Sequence, residues 1–471
     1  MCRFTFPFFL LTLLISCNRE EERQPNILFI LADDQCYRTI HKLGNREVVT
    51  PTLDELVKEG TVFTTVYNMG GWHGAICVAS RTMFNTGKFL WHARTLESQL
   101  DTLAIRGQLW SKEMERLGYE TYMTGKWHVN ISPETIFRHV GTERPGMPGD
   151  TPEGYNRPLN ESDTTWKPWE TRFGGYWEGG THWSEVVAGE TMEFLEQTAQ
   201  LKKPFFMYVA FNAPHDPRQS PREYVEMYPL EKISVPESFM PEYPLKDSIG
   251  CSADLRDEAL APFPRTPYAV KVHRREYYAL ISHLDTQVRR ILDKLKETGQ
   301  DKNTYIFYSA DHGLSAGNHG LMGKQNMYDH SMRPPMIVWG PDVPEGARIT
   351  APVYLQDIMA TTLEYAGGEA SGWVEFHSLK PFIEGKRKDS YYPHIYGAYM
   401  DLQRMIRADG YKLIVYPGAG VVKLFHVEED ELELKDLSAD PGQQARIRQM
   451  YSDLQLLMQD MGDTLILPAL N

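Results

Sequence analysis

Four short apolar runs in this chain each end in a cluster of residues that carry chemistry. Asn26-Ile27-Leu28-Phe29-Ile30-Leu31-Ala32 leads into Asp33-Asp34, and Glu120–Thr124 leads into Gly125-Lys126-Trp127-His128. Phe205–Phe211 leads into Asn212-Ala213-Pro214-His215-Asp216, and Thr304–Ser309 into Ala310-Asp311-His312-Gly313. Runs of this length, rich in Ile, Val and Phe, read as strands buried on both faces. Helical spacing lies between them. Leu109, Trp110, Met114 and Leu117 precede Gly118, and Leu284, Val288, Ile291, Leu292 and Leu295 precede Gly299. The alternation predicts an α/β chain with a large, mostly parallel sheet sandwiched by helices. Ligands of such sheets bind beyond the carboxyl ends of the strands, so the four clusters are expected on one edge.

The C-terminal part has a different pattern. Tyr391–Tyr396, Met405-Ile406-Arg407, Tyr411–Tyr416 and Lys423–His426 are short strand-like pieces, with a hairpin signal at Asp409-Gly410. An amphipathic helix over about Pro441–Met461 follows. The expectation is a small antiparallel sheet plus one helix over 386–471, after a catalytic α/β domain over 24–385. At the other end, Arg3 and the apolar run Phe4–Ile15 are too short for a membrane span and suit a signal-peptide core. Leu14-Ile15-Ser16-Cys17 resembles the bacterial lipobox. It implies a signal peptide over 1–16, a lipidated Cys17, a tether over 17–23, and an exported, lipid-anchored protein in the periplasm or at the outer-membrane surface.

Charge narrows the partners. Lys and Arg number 49 against 63 Asp and Glu, so the chain lacks the basic excess of a nucleic-acid binder. An anionic substrate stays possible, because a few cations in a low-dielectric cleft outweigh diffuse surface charge. Of five cysteines, Cys2 and Cys17 lie in the leader, and Cys36, Cys77 and Cys251 make no disulfide framework. The expectation for Cys36 and Cys251 is two buried free thiols.

Asp33, Asp34 and Asp311 would repel one another at one sheet edge unless a cation neutralised them. Three carboxylates suit Ca²⁺ or Mg²⁺, and His312 would also suit zinc, so these residue types leave the metal open. Cys77 opens a predicted helix after Gly70-Gly71-Trp72-His73-Gly74, with Arg81 one turn on. A thiol there is either an activated nucleophile or an inert buried residue.

The string Cys77-Val78-Ala79-Ser80-Arg81-Thr82-Met83-Phe84-Asn85-Thr86-Gly87 resembles the maturation signature of type I sulfatases. These are members of the alkaline phosphatase superfamily, and the resemblance runs from about Gln24 to the C-terminal region. Ala79 replaces the commoner Pro, and Asn85 stands where Leu or Met is usual. The resemblance implies an alkaline-phosphatase-like fold and a Cys77 oxidised to formylglycine by a maturation enzyme, with a hydrate that attacks sulfur. It implies Asp33, Asp34, Asp311, His312 and the modified Cys77 as metal ligands, usually for Ca²⁺, with Mg²⁺ less usual. Arg81, Lys126 and His128 match the residues that hold and activate the hydrate. His215 and Lys324 match those facing the sulfate and the leaving oxygen; Lys324 lies in Met322-Gly323-Lys324-Gln325-Asn326, followed by Tyr328, His330 and Arg333.

For the substrate, residues 140–182 read as long loops near a binding face. Trp166, Trp169, Trp177 and Trp183, with Arg172 and His182, either stack on sugar rings or form loop cores. Arg256 and Arg265 are further candidates for reading hydroxyls or a second sulfate. The expected activity is hydrolysis of a sulfated carbohydrate, as in the enzymes with which bacteria desulfate polysaccharides. Two rivals stand: a phosphonate or phosphate monoester hydrolase on the same fold, and a non-catalytic glycan-binding lipoprotein.

Overall fold

The computed structural model describes residues 23–368 and 372–470. The signal peptide, Cys17 and the tether up to residue 22 lie outside the described residues. Asn26–Ala32 is a strand as expected, and residues 27–32 have no solvent exposure. Ile27, Phe29 and Leu31 join one hydrophobic core, and Leu28, Ile30 and Ala32 join another. The two-residue period of a strand thus serves two cores at once, which is why the run is continuously apolar.

This strand lies near the middle of an eight-stranded sheet. The order across it is Ala347–Ile349, Thr61–Phe63, Met336–Trp339, Thr304–Ala310, Asn26–Ala32, Phe205–Ala210, Glu120–Lys126 and His139–Arg144. All pairings are parallel except those of Met336–Trp339, which runs against both neighbours. Helix Pro267–Glu297 covers one face with Leu284, Val288, Ile291, Leu292 and Leu295. It starts where Thr266 accepts the Ala269 N–H at 3.1 Å and Pro267 occupies the first turn. Its Asp285 accepts the N–H groups of Thr52 and Leu53, capping the helix Pro51–Glu59 from a distant part of the chain.

The second sheet carries Ile395–Tyr399, Gln403–Ala408, Tyr411–Tyr416 and Val421–His426, all antiparallel. Asp409 and Gly410 both have positive φ, +49° and +78°, as a two-residue hairpin demands. The first strand sits later than the expected Tyr391–Tyr396. Its position is set by pairing with Gln403–Ala408 and with Gly70–Gly71, which joins this sheet from just before Cys77. The closing helix is Gln444–Asp460. Cys36, Cys77 and Cys251 are free, buried thiols.

A buried ion pair ties the tail to this sheet. Arg404 donates to Asp463 at 2.5 and 3.0 Å, Tyr396 donates to the same carboxylate at 2.7 Å, and the Arg404 guanidinium lies 5.1 Å from the Trp91 ring centre. Asp463→Ala leaves a buried guanidinium uncompensated and is expected to lower unfolding free energy by about 3–5 kcal/mol in urea titrations. A loss below about 1 kcal/mol, the value of a solvated pair, would contradict this reading.

Candidate active site

The carboxyl ends of the central strands converge, as the sheet-edge rule requires. Asn26–Ala32 delivers Asp33 and Asp34, and the adjacent Thr304–Ala310 delivers Asp311 and His312. Phe205–Ala210 leads to His215, and Glu120–Lys126 ends on Lys126. Helix Ile76–Thr86 supplies Cys77 in its first turn and Arg81 four residues on, on the same face. Gly87, at φ +63°, ends this helix and donates to Met83 O. Lys324 arrives on a loop 290 residues from its partner Asp34. All nine of these residues are at most 2% exposed.

Three carboxylates and three cations pair inside this cluster. Lys324 Nζ lies 2.7 Å from both Asp34 carboxylate oxygens and 3.0 Å from Cys77 Sγ. Lys126 Nζ pairs with Asp33, and Arg81 Nε donates to Asp311 Oδ2 at 2.9 Å. Cys77 Sγ, the unmodified thiol, is 3.4 Å from Asp33 Oδ1 and 4.0 Å from Asp34 Oδ1. Formal charge within the cluster therefore cancels, without which six buried ions would not persist. Burial raises the Asp34 carboxyl to about 6 against the pull of Lys324, and burial likewise raises the Cys77 thiol. Burial opposes ionisation of Asp311 too, but Arg81 and Lys126 hold its carboxyl well below the usual range.

The histidines divide by their neighbours. Burial and the nearby Lys126 and Arg81 charges hold His128 down to about 2, a neutral imidazole. Its ring packs against Gly146, where an added Cβ would lie 2.4 Å from Cε1. Burial also opposes the charge on His215, but Asp216 wins and raises it well above the ordinary histidine value. His215 Nδ1 is 2.9 Å from Asp216 Oδ1, and Nε2 is 3.5 Å from Asp34 Oδ2. Tyr155 donates to Asp216, with Arg256 3.6 Å away.

Asp216, Tyr155 and Tyr277 escaped the reading of the sequence. Tyr277 donates to the Asp34 carbonyl at 2.6 Å and accepts the Cys36 N–H at 3.1 Å, fixing the turn where Asp34 has φ +66°. No local signal marks a tyrosine in the middle of a 31-residue helix as such a brace. Asp216 was visible beside His215, but adjacency in sequence says nothing about which way a ring faces.

Residues for a divalent cation are present. Asp33, Asp34, Cys77 and His215 each offer a ligand atom, all within 4.8 Å of one another. Asp311 Oδ1 accepts the Asp34 N–H at 3.2 Å, and the buried Nε2 of His312 has no hydrogen-bond partner. Carboxylate oxygens gathered beside an orphaned imidazole nitrogen are a donor set that fits a cation, which would supply the missing bond. His215 joins this cluster in space, whereas the family resemblance had placed it facing the sulfate.

The expected substrate residues separate. Arg256 alone adjoins the cluster, half-exposed and 2.7 Å from Asp257. His182 is 1% exposed; its Nε2 meets Gln219 O at 2.9 Å, and its Nδ1 accepts the Ser184 N–H, capping helix Trp183–Ala199. Trp183 is buried beneath Arg144, and Trp166 stacks on Phe173 as a loop core. Arg172 is exposed and paired with Glu170. Arg265 is buried on Glu258, whose carboxylate accepts the N–H groups of Met322 and Gly323. It thus braces the loop that carries Lys324, and presents nothing to a substrate.

Gly125 sets the approach of Lys126. It has φ +92°, and a Cβ there would lie 1.9 Å from Ala210 O in the paired strand. Gly125→Ala combines a left-handed penalty of about 1–2 kcal/mol with a backbone clash. Displacing Lys126 by an ångström is expected to lower kcat/KM about 100-fold. Wild-type kinetics in that variant would show the strand pairing to be more tolerant than the contact implies.

Comparison with known proteins agrees with this geometry. A model of the sulfatase family matches residues 25–368, and one of the N-sulphoglucosamine sulphohydrolase C-terminal region matches 317–460. The N-acetylglucosamine-6-O-sulfatase of Bacteroides thetaiotaomicron is 25% identical over 509 residues, spanning 92% of this chain and 85% of that protein. A solved structure in complex with its substrate D-glucosamine-2-N,6-O-disulfate superposes with TM-score 0.72 at 20% identity, over 94% of this chain and 99% of the other. The phosphonate monoester hydrolase of Silicibacter pomeroyi superposes with TM-score 0.71 at 21% identity, over 94% and 96%. The two structures share the fold, and the family match extends over most of the chain. The chain belongs to the sulfatase family of the alkaline phosphatase superfamily and is a sulfatase.

Proposed function

We propose that this sulfatase removes sulfate from a sulfated carbohydrate, using a formylglycine made from Cys77 by a maturation enzyme, with Ca²⁺ as its metal. The observation that carries this is the placement of Cys77 Sγ among Lys324, Asp33 and Asp34 in a charge-balanced, buried cluster. Asp33, Asp34, Asp311, His312 and the residue at 77 would hold the cation, with His215 close by. When bound, the ion supplies positive charge for the sulfate oxygens and orients the nucleophile. The formylglycine hydrate supplies one hydroxyl to attack sulfur and a second whose deprotonation expels sulfate.

The remaining work falls to side chains of the chain itself. Lys126, Lys324 and Arg81 hold positive charge beside the reacting oxygens in a site without bulk water, where such charge acts most strongly. His215, kept protonated by Asp216, donates its Nε2 proton to the departing sugar oxygen. His128, neutral and with a buried Nδ1 that has no partner, would serve as a hydrogen-bond acceptor beside the hydrate. A carbohydrate as leaving group is supported by the disulfated glucosamine held by one structural neighbour and by the name of the Bacteroides relative. We also propose export and lipid anchoring through Cys17, which incorporation of a palmitate label into the wild type but not into Cys17→Ala would test.

Phosphonate ester hydrolysis is the second reading, favoured by the phosphonate hydrolase that shares the fold. Turnover of 4-methylumbelliferyl sulfate, its phosphate and a phenylphosphonate ester separates the two, followed by N-acetylglucosamine-6-sulfate. The sulfate ester is expected to lead by at least about 100-fold in kcat/KM, some 3 kcal/mol of transition-state discrimination. A phosphonate ester in the lead would overturn the first reading.

A further inference from the structure

Of the three cations that pair with the carboxylates, Lys126 ends a strand and Arg81 rides a helix, whereas Lys324 lies on a loop. Its ammonium is nevertheless placed against both Asp34 oxygens and Cys77 Sγ, so the loop itself has to be held. The N–H groups of Met322 and Gly323 go to Glu258. The next along, that of Lys324 itself, goes to Oε1 of Gln325 at 3.0 Å.

The Gln325 side chain has two further bonds. Buried at 1% exposure, it donates through Nε2 to Asp257 Oδ2 at 2.8 Å and to the Gly74 carbonyl at 3.1 Å. Only an amide can accept one bond and donate two in this place: a carboxylate has no hydrogen to give, and an ammonium has no lone pair. Gly74 lies in the turn between Gly70–Gly71 and helix Ile76–Thr86, which carries Cys77. Gln325 therefore ties the backbone at Lys324 to the backbone just before Cys77. Asp257, the other anchor, is 4% exposed, and its Oδ1 takes the Arg256 guanidinium at 2.7 Å. Packing around the amide is tight. A Cβ on Gly323 would lie 2.6 Å from Gln325 Oε1 and 2.8 Å from Asp257 Cβ.

We infer that Gln325 is a positioning residue of the sulfatase reaction: its amide, anchored on Asp257 and Gly74, sets the Lys324 ammonium against the group at position 77. The inference rests on the catalytic role given to Lys324 above, and Gln325 acts through Lys324 and the turn before Cys77.

Steady-state kinetics on 4-methylumbelliferyl sulfate, with a thermal melt of each variant, test it. Gln325→Leu keeps the bulk and removes all three bonds. It is expected to lower kcat and kcat/KM together by about 10–100-fold with KM little changed, because a misplaced charge costs transition-state stabilisation rather than substrate binding. A role confined to stability would move the melting temperature and leave kcat of the folded protein where it was. Gln325→Glu keeps the acceptor for the Lys324 N–H but sets a carboxylate against Asp257, and is expected to be as slow. Adding Asp257→Asn to it returns a donor between the two side chains, leaves an oxygen for Arg256 and preserves the net charge of the pair. That double variant is expected to recover kcat about ten-fold over Gln325→Glu alone. The inference fails if folded Gln325→Leu turns over within about two-fold of wild type, if its loss lies in KM, or if the double variant is no faster than Gln325→Glu. Should Gln325→Leu not fold, the last comparison decides. Wild-type turnover in Lys324→Met would instead overturn the catalytic role of Lys324.

Discussion

Cys77→Ala is expected to abolish sulfate ester hydrolysis, by at least about 10⁴-fold in kcat, with the fold retained. Cys77 is 2% exposed within helix Ile76–Thr86, and removing one sulfur there costs about 1 kcal/mol of packing. No other nucleophilic side chain contacts both the Asp33–Asp34 pair and Lys324 among the described residues. Circular dichroism and a thermal melt establish the fold, 4-methylumbelliferyl sulfate reports turnover, and mass spectrometry of the wild-type peptide reads the conversion of thiol to aldehyde. Turnover within tenfold of wild type would sink the assignment of the nucleophile. An unmodified thiol in fully active protein would sink the formylglycine while leaving the site in place.

Lys324→Met is expected to lower kcat/KM by about 10²–10³-fold, the effect of deleting one preorganised charge aimed at a transition state. The same change also removes the ion held 2.7 Å from both Asp34 oxygens, so three carboxylates then face two cations. Breaking such a buried pair costs about 3–5 kcal/mol of stability. The two effects separate through calcium. A divalent ion bound by the native state restores melting temperature by mass action, whereas it leaves the missing ammonium charge unreplaced. Recovery of turnover together with melting temperature would show Lys324 to be a purely structural counter-ion.

Much of the site was legible because its pieces are short strings. Asn26–Ala32 was bounded correctly, since its apolar run stops where Asp33 begins. Strand Glu120–Lys126 ran two residues beyond the expected end. Gly125 and Lys126 carry no strand signature and extend only because Gly125 pairs with Ala210 and Lys126 with Arg144. Tyr391–Tyr396 is apolar enough to be a strand, but the backbone pairing offered by Gly70–Gly71 falls on residues 398 and 399.

The substrate residues show the limit of such reading most sharply. Arg256, Arg265, His182 and Trp183 look alike in a sequence: polar or aromatic groups in loop-rich segments. Folding buries Arg265 on Glu258 and His182 on Gln219, and leaves Arg256 half-exposed beside Asp216. Which cation faces a ligand and which braces a loop depends on the carboxylate or carbonyl that reaches it first.

The sequence by itself determined four of the eight strands of the main sheet, their order of chemistry along the chain, and the family. Each of these is written within a dozen residues, where periodicity and motif spacing are local properties. Only the tertiary structure decided that Tyr277 braces Asp34 and that Asp216 charges His215. The first joins residues 243 positions apart and the second turns on which way a ring faces, outcomes that burial and close packing set and no short stretch of chain encodes.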